Sequence, residues 1–195
     1  MTRQQRTYHH GDLRQAVLTA ALDVIAAEGP SALSLRDLAR RAGVSHAAPA
    51  HHFKDRAGLL TAVATEGYDL LAGALGEATD LRDAGVRYVR FATDHPAHFQ
   101  VMFQPELYRT DDPDLLAARE RAGERLRAGI TNLPAGKGGP DPRLAGVAAW
   151  SLAHGFATLL LSRNLTAPLE GRDPEDVFRT LTGLLFAAEP SGGTP

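Results

Sequence analysis

Histidine is the residue best placed to do chemistry in this 195-residue chain. Six of its eight copies fall into three groups: His46, His51 and His52; His95 and His98 on either side of Pro96; and His154, four residues after the only tryptophan, Trp150. An imidazole can ligate a metal, move a proton or hydrogen-bond a partner. For metal, the first group lacks a completing set. Residues 46 and 51 share only part of a helical face, no carboxylate or thiol stands with them, and the chain has no cysteine. A proton-linked change in binding near neutral pH stays open. His95 and His98 read as caps or surface groups, because a proline between them upsets a regular i, i+3 pair. Catalytic constellations are missing as well: there is no G-x-S-x-G elbow, no H-E-x-x-H and no Glu-x-x-His pair. Gly136-Lys137 imitates a phosphate loop, but no Ser or Thr follows the lysine and no strand leads in. The expectation is a non-enzyme with no cofactor and no metal.

Few elements are available to position these residues. Apolar residues recur at helical spacing nearly throughout and alternation is absent, so the chain reads as all-α. The net charge of −2 hides a segregation: residues 1–60 carry eight Lys and Arg against five Asp and Glu, and the remainder is acidic. Five of the eight histidines also lie in the first 52 residues. A modestly basic end on an acidic body suits a protein that meets phosphate at that end. No apolar leader opens the chain, and its apolar runs fall short of a membrane span, so a cytoplasmic protein with no membrane partner is expected.

The segment Ser34 to Arg56, SLRDLARRAGVSHAAPAHHFKDR, spells two short helices around a tight turn. Ser34 and Asp37 suggest a capping box. Leu35, Leu38, Ala39 and Ala42 make one apolar stripe, Gly43 suits a left-handed stop, and Ser45 reads as the next N-cap. Phe53 would pin the second helix. Pro49 would then sit at its fourth position, delete its first hydrogen bond and leave it short and irregular. The spacing alone fits an αα-hairpin and a DNA-reading helix-turn-helix equally well.

The surroundings shift that balance. Residues 11–28 form a longer amphipathic helix ended by Gly29-Pro30, and Asp55 can cap a helix carrying Leu59, Leu60 and Val63. With Ala20-Ala21, Leu38-Ala39, Ala42-Gly43-Val44-Ser45, His52-Phe53 and Leu59-Leu60, the first 60 residues resemble the tetracycline-repressor family of bacterial regulators. Trp150, His154 and Gly155 are similar to the Trp-His-Gly signature of one branch of its C-terminal domains. Carried over by position, the resemblance implies that Ser45, His46, Ala47, Ala48, Ala50 and His51 face the major groove and that Arg36 reaches a guanine edge. Ser34, His52, Lys54 and Arg56 would meet phosphates. Two residues depart from the family pattern: Ala50 replaces its usual tyrosine and Pro49 its common leucine. Arg3, Arg6, His9 and His10 form either a DNA-reaching arm or an unstructured leader.

Beyond residue 56, helices are expected at 56–79, 81–94, around 98–103, 113–130, 143–163 and from Asp173 onward, about nine in all. The residue 134–142 stretch reads as a loop by composition. The resemblance implies a flexible arm (1–10), a helix-turn-helix domain (11–55), a ligand-binding and dimerisation domain (56–189) and a disordered tail (190–195). Phe91, Phe99, Met102, Phe103, Trp150 and His154 would bind a small apolar or aromatic effector, although a Phe and Met stripe at helical spacing suits a plain core equally. Ala148, Ser151 and Gly155 with Val177, Phe178, Leu181, Leu184 and Leu185 would pair with a second copy as a four-helix bundle. The partners implied are double-stranded operator DNA, the effector and a second copy of the chain, as in a ligand-responsive repressor. The rival is a helical adaptor or ligand-binding protein that has lost specific DNA binding.

Overall fold

The computed structural model describes residues 10–131 and 141–186, and the regular structure there is helical. Ten α-helices follow one another: α1 (His10–Glu28), α2 (Leu35–Arg41), α3 (Ala48–Phe53), α4 (Arg56–Gly76), α5 (Leu81–Asp94), α6 (Pro96–Met102), α7 (Pro113–Thr131), α8 (Pro142–Leu161), α9 (Thr166–Leu169) and α10 (Pro174–Phe186). Single 3-10 turns stand at Pro30–Ala32 and Pro105–Leu107. The expected all-α class holds. The count rises above nine through α9, a four-residue turn too short to leave a periodicity. The arm with Arg3, Arg6, His9 and the His10 side chain, the loop with Gly136-Lys137 and the tail after Pro190 lie outside the described residues.

Aspartate starts five of these helices by accepting a backbone N–H of the first turn. Asp55 takes Gly58, Asp80 takes Asp83, Asp112 takes Leu115, Asp141 takes Arg143 and Asp173 takes Glu175. Each satisfies an orphan donor that would otherwise face only water. Two expected serine caps are corrected. Ser34 holds the N-cap position of α2 but makes no side-chain cap bond. Asp37, its supposed partner, is taken by Arg40 and Arg41 at 2.7 and 2.5 Å. Ser45 is not a cap at all, because α3 starts three residues later, after Ala47.

The described residues form two compact units, one of residues 10–68 with 95–119, the other of 69–94 with 120–131 and 141–186. In the first, Val17, Leu18 and Ile25 of α1, Leu38 of α2, Phe53 of α3 and Leu59, Leu60 and Val63 of α4 share one buried core. Ala97, Val101, Tyr108 and Leu115 belong to the same core. Compactness therefore groups α6 and the start of α7 with the N-terminal helices, and does not follow the sequence boundary at residue 56.

In the second unit α5 packs on α8 and α10. Gly85 makes room for Phe178, whose ring would lie 2.8 Å from a Cβ at that position. Phe156 meets the same ring at 5.3 Å between centroids. Arg90 of α5 holds Glu175 of α10 through two hydrogen bonds of 2.6 and 2.5 Å. Helix α8 is unlike its neighbours. No charged residue stands between Arg143 and Arg163, and Leu144, Val147, Ala148, Ser151, Thr158 and Leu159 are exposed. It is long and apolar enough to cross a membrane by length and composition, a point that counting uninterrupted apolar runs misses. Those exposed positions repeat at helical spacing, so they make one apolar face that nothing among the described residues covers.

Candidate nucleic-acid interface and ligand site

Three observations build the surface around α2 and α3. First, Gly43 takes φ +65°, and the Val44 N–H donates to the Ala39 carbonyl at 3.0 Å, which closes α2 with a left-handed stop. Second, Arg40 and then Arg41 hydrogen-bond Asp37 and hold its carboxyl below the usual carboxylate range. Those two arginines are engaged, whereas Arg36 is exposed and makes no ion pair among the described residues. Third, Pro49 lies at the second position of α3, where its missing N–H belongs to the orphan set and costs nothing. The expected loss of a hydrogen bond at Pro49 is therefore corrected. Helix α3 is nonetheless six residues long.

Ser34, Arg36, Ser45, His46, Ala47, Ala50, His51 and Lys54 are all exposed, and His52 is half-buried. Two expected contacts are corrected. Ala48 is buried at 7% exposure and turns to the core, because α3 begins later than the sequence suggested. Arg56 is half-buried and donates to the Pro30 carbonyl at 2.8 Å, which ties the start of α4 to the turn after α1. Lys54 adopts φ +66° between α3 and α4. Phe53 is pinned as expected, with the Arg14 guanidinium 5.4 Å from its ring centroid.

The candidate ligand residues divide between the units. Phe99, Met102 and Phe103 belong to the first. The Phe99 and Phe103 rings lie 5.0 Å apart, and Tyr68 meets Phe103 edge-on at 6.4 Å. Phe91, Trp150 and His154 belong to the second. Phe91 is buried, and Trp150, 42% exposed, lies 5.7 Å from the His154 ring. His154 Nδ1 is hydrogen-bonded to the Tyr88 hydroxyl at 2.9 Å, and burial pushes its pKa below the usual histidine value. Tyr88 is not among the expected site residues, although its place in the stripe Ala84, Tyr88, Phe91 puts a phenol on a core face. The expectation of a cap or surface group at His98 is corrected. His95 does hold the N-cap position of α6, without a side-chain cap bond, but His98 is buried and faces Glu66 of α4. Among the described residues no cluster suited to a metal occurs.

Of the residues expected to pair with a second copy, Ala148, Ser151 and Leu184 are exposed, and Gly155, Val177 and Leu181 are half-buried. The Leu185 side chain lies outside the described residues. Phe178 is corrected: it is 1% exposed and belongs to the core under α5. The i, i+3, i+4 spacing of Leu144, Val147, Ala148 and Ser151 could have added the first two to that face.

Residues 17–63 match the family model for bacterial regulatory proteins of the tetR family, and residues 81–185 match that for the tetracyclin repressor-like C-terminal domain. Among solved structures, a protein of unknown function from Rhodococcus sp. RHA1 is similar at 30% identity, with 92% of this chain and 96% of that one covered and a TM-score of 0.74. The TetR-family transcriptional regulator PfmR from Thermus thermophilus shares the fold at 23% identity, with 89% and 98% covered and a TM-score of 0.65. AibR, solved with isovaleryl coenzyme A and operator DNA, shares it at 16% identity, with 89% and 98% covered and a TM-score of 0.65. No curated protein matches the chain.

Proposed function

The chain belongs to the tetR family of bacterial regulatory proteins, and from that premise we propose that it is a ligand-responsive repressor that grips a pseudo-palindromic operator as a homodimer in the cytoplasm. One observation carries the reading: a left-handed turn and the short helix after it expose His46 and Ala47 before the helix and Ala50 and His51 on it, with no acidic side chain among them. Small and imidazole side chains fit a major groove and can hydrogen-bond base edges or touch thymine methyls. Ser45 stands with them at the groove, Arg36 is suited to a bidentate guanine contact, and Ser34, His52 and Lys54 to phosphates. The head is residues 11–55, and 56–189 senses and dimerises. AibR, crystallised with both an acyl coenzyme A and operator DNA, supports a family in which one protein takes both ligands. Release requires an effector with higher affinity for the conformation that no longer fits the operator.

Selection of genomic fragments followed by gel retardation at several salt concentrations tests this. Specific retardation whose log affinity falls linearly with log salt is expected. Arg36→Ala should weaken the selected site by about 5- to 150-fold, corresponding to about 1–3 kcal/mol for a guanine contact. Binding of every fragment no better than random DNA would favour the adaptor reading.

A further inference from the structure

A buried histidine in the first compact unit and one buried oxygen of a half-exposed glutamate have no structural use that their neighbours explain. His98 on α6 has a side chain only 7% exposed, and its Nε2 lies 3.5 Å from Oε2 of Glu66 on α4. That is a long contact, not a well-formed hydrogen bond, and both atoms are buried with no hydrogen-bond partner among the described residues. The nearby phenols are committed elsewhere, since Tyr68 and Tyr108 both donate to the Met102 carbonyl, at 3.1 and 2.8 Å. His95 meets His98 edge-on, at 5.7 Å between ring centroids. A native core rarely keeps two orphaned polar atoms unless something else satisfies them.

We propose that Glu66 and His98 are the polar anchor of the effector site and select a ligand carrying an uncharged hydroxyl on an apolar body. The inference rests on the regulator reading and names the ligand class it requires. Burial holds the His98 pKa below its usual value, and the neutral tautomer protonated at Nε2 is the one that offers an N–H toward the Glu66 carboxylate, which offers only lone pairs. A hydroxyl group serves both: it donates to Glu66 and accepts from His98. A ligand carboxylate has no proton to give and is repelled by Glu66. A plain hydrocarbon leaves both atoms orphaned. Sites built to hydrogen-bond a hydroxyl reject analogues lacking it far more strongly than apolar pockets discriminate by size. Met102 is the side chain that can yield to an incoming group. Its sulfur lies 2.5 Å from where a Cβ on Gly67 would stand, so glycine there brings α6 against α4 and leaves a flexible thioether at the contact. Phe99 and Phe103 beside it supply apolar surface.

The probes are 4-propylphenol, propylbenzene and 4-propylbenzoate, read by thermal shift and calorimetry on the full chain. The phenol should bind at least about tenfold tighter than the arene, a difference of about 1.4 kcal/mol, and the benzoate should not bind. A Glu66→Met, His98→Leu double variant should melt at or above the parent temperature and lose the phenol preference, because two orphaned groups are exchanged for apolar ones. Glu66→Gln, which keeps the shape and supplies an N–H, should admit the benzoate. A double variant that melts lower, a phenol preference that survives in it, benzoate binding to the parent, or no binding of any probe overturns the proposal. Operator retardation by the parent is measured alongside. If it persists while the probes fail, only this inference falls; if it is absent, the regulator reading falls.

Discussion

At the scale of single residues, the turn between α3 and α4 bears the tightest constraint. Asp55 Oδ1 accepts the Gly58 N–H at 2.9 Å, and its Oδ2 accepts from Arg109 Nη2 at 2.7 Å. The Arg109 N–H in turn donates to Thr61 Oγ1 at 3.1 Å. A Cβ on Gly58 would overlap the Phe53 carbonyl and lie 2.8 Å from Arg109 Nη1. Gly58→Ala should therefore destabilise the fold by about 1–3 kcal/mol, as overpacking does, measurable by denaturant unfolding. The Gly58 N–H, followed by the Arg109 charge, holds the Asp55 carboxyl below its ordinary 3.8. A depressed carboxylate stabilises the fold above its unfolded pKa and loses that contribution as pH falls through the folded one. The melting-temperature gap between parent and Asp55→Asn should thus be full at neutral pH and close under acid; a gap that widens on acidification contradicts this account. The Asp55 cap was legible because its partner is three residues away. Arg109 was not, because a contact across 54 positions leaves no local pattern. Ser34 was misread because Arg40 and Arg41 compete for the carboxylate its capping box needed.

At the scale of elements, the question is which apolar stripes the chain uses for itself. Helix boundaries written by proline and aspartate were readable: α5 and α7 begin where expected, and α10 starts on the Asp173-Pro174 signal. The start of α3 was not, because Pro49 suits the first turn of a later helix as well as it interrupts an earlier one. Side-chain fate on α10 was also hidden. Val177, Phe178, Leu181 and Leu184 form one wide stripe in the sequence, yet Phe178 is 1% and Leu184 73% exposed. Only Gly85, in a different helix, reveals that Phe178 has a seat. Phe178→Ala should cost about 3–5 kcal/mol of folding stability. Leu184→Ser should leave chemical denaturation of the dilute protein within about 0.5 kcal/mol of the parent, as for surface sites without special features. Equal losses from the two would mean that the stripe is spent as a unit.

At the scale of the whole molecule, a two-headed DNA reader needs two copies, and the exposed face of α8 is where the proposed pairing makes its sharpest demand. Leu144, Val147, Ala148, Ser151, Thr158 and Leu159 offer apolar and small side chains without one charge, and a Cβ on Gly155 would meet no atom within 4 Å. Uncharged faces with small residues allow close helix approach, and an isologous contact doubles each of them. Operator affinity then depends on this face of the second unit, because one head grips half a site and the second adds its binding energy only when tethered. A Leu144→Gln, Val147→Gln, Leu184→Gln variant should sediment as a folded monomer and keep the parent's helical content. Its retardation of a full operator should fall at least about tenfold, to the level of a single half-site. Half-site binding should be unchanged, since α3 and its core, which includes Val101 and Leu115, are untouched. A variant that still sediments as a dimer places the pairing surface elsewhere. A monomer that binds the full operator as tightly as the parent removes the two-headed reading itself.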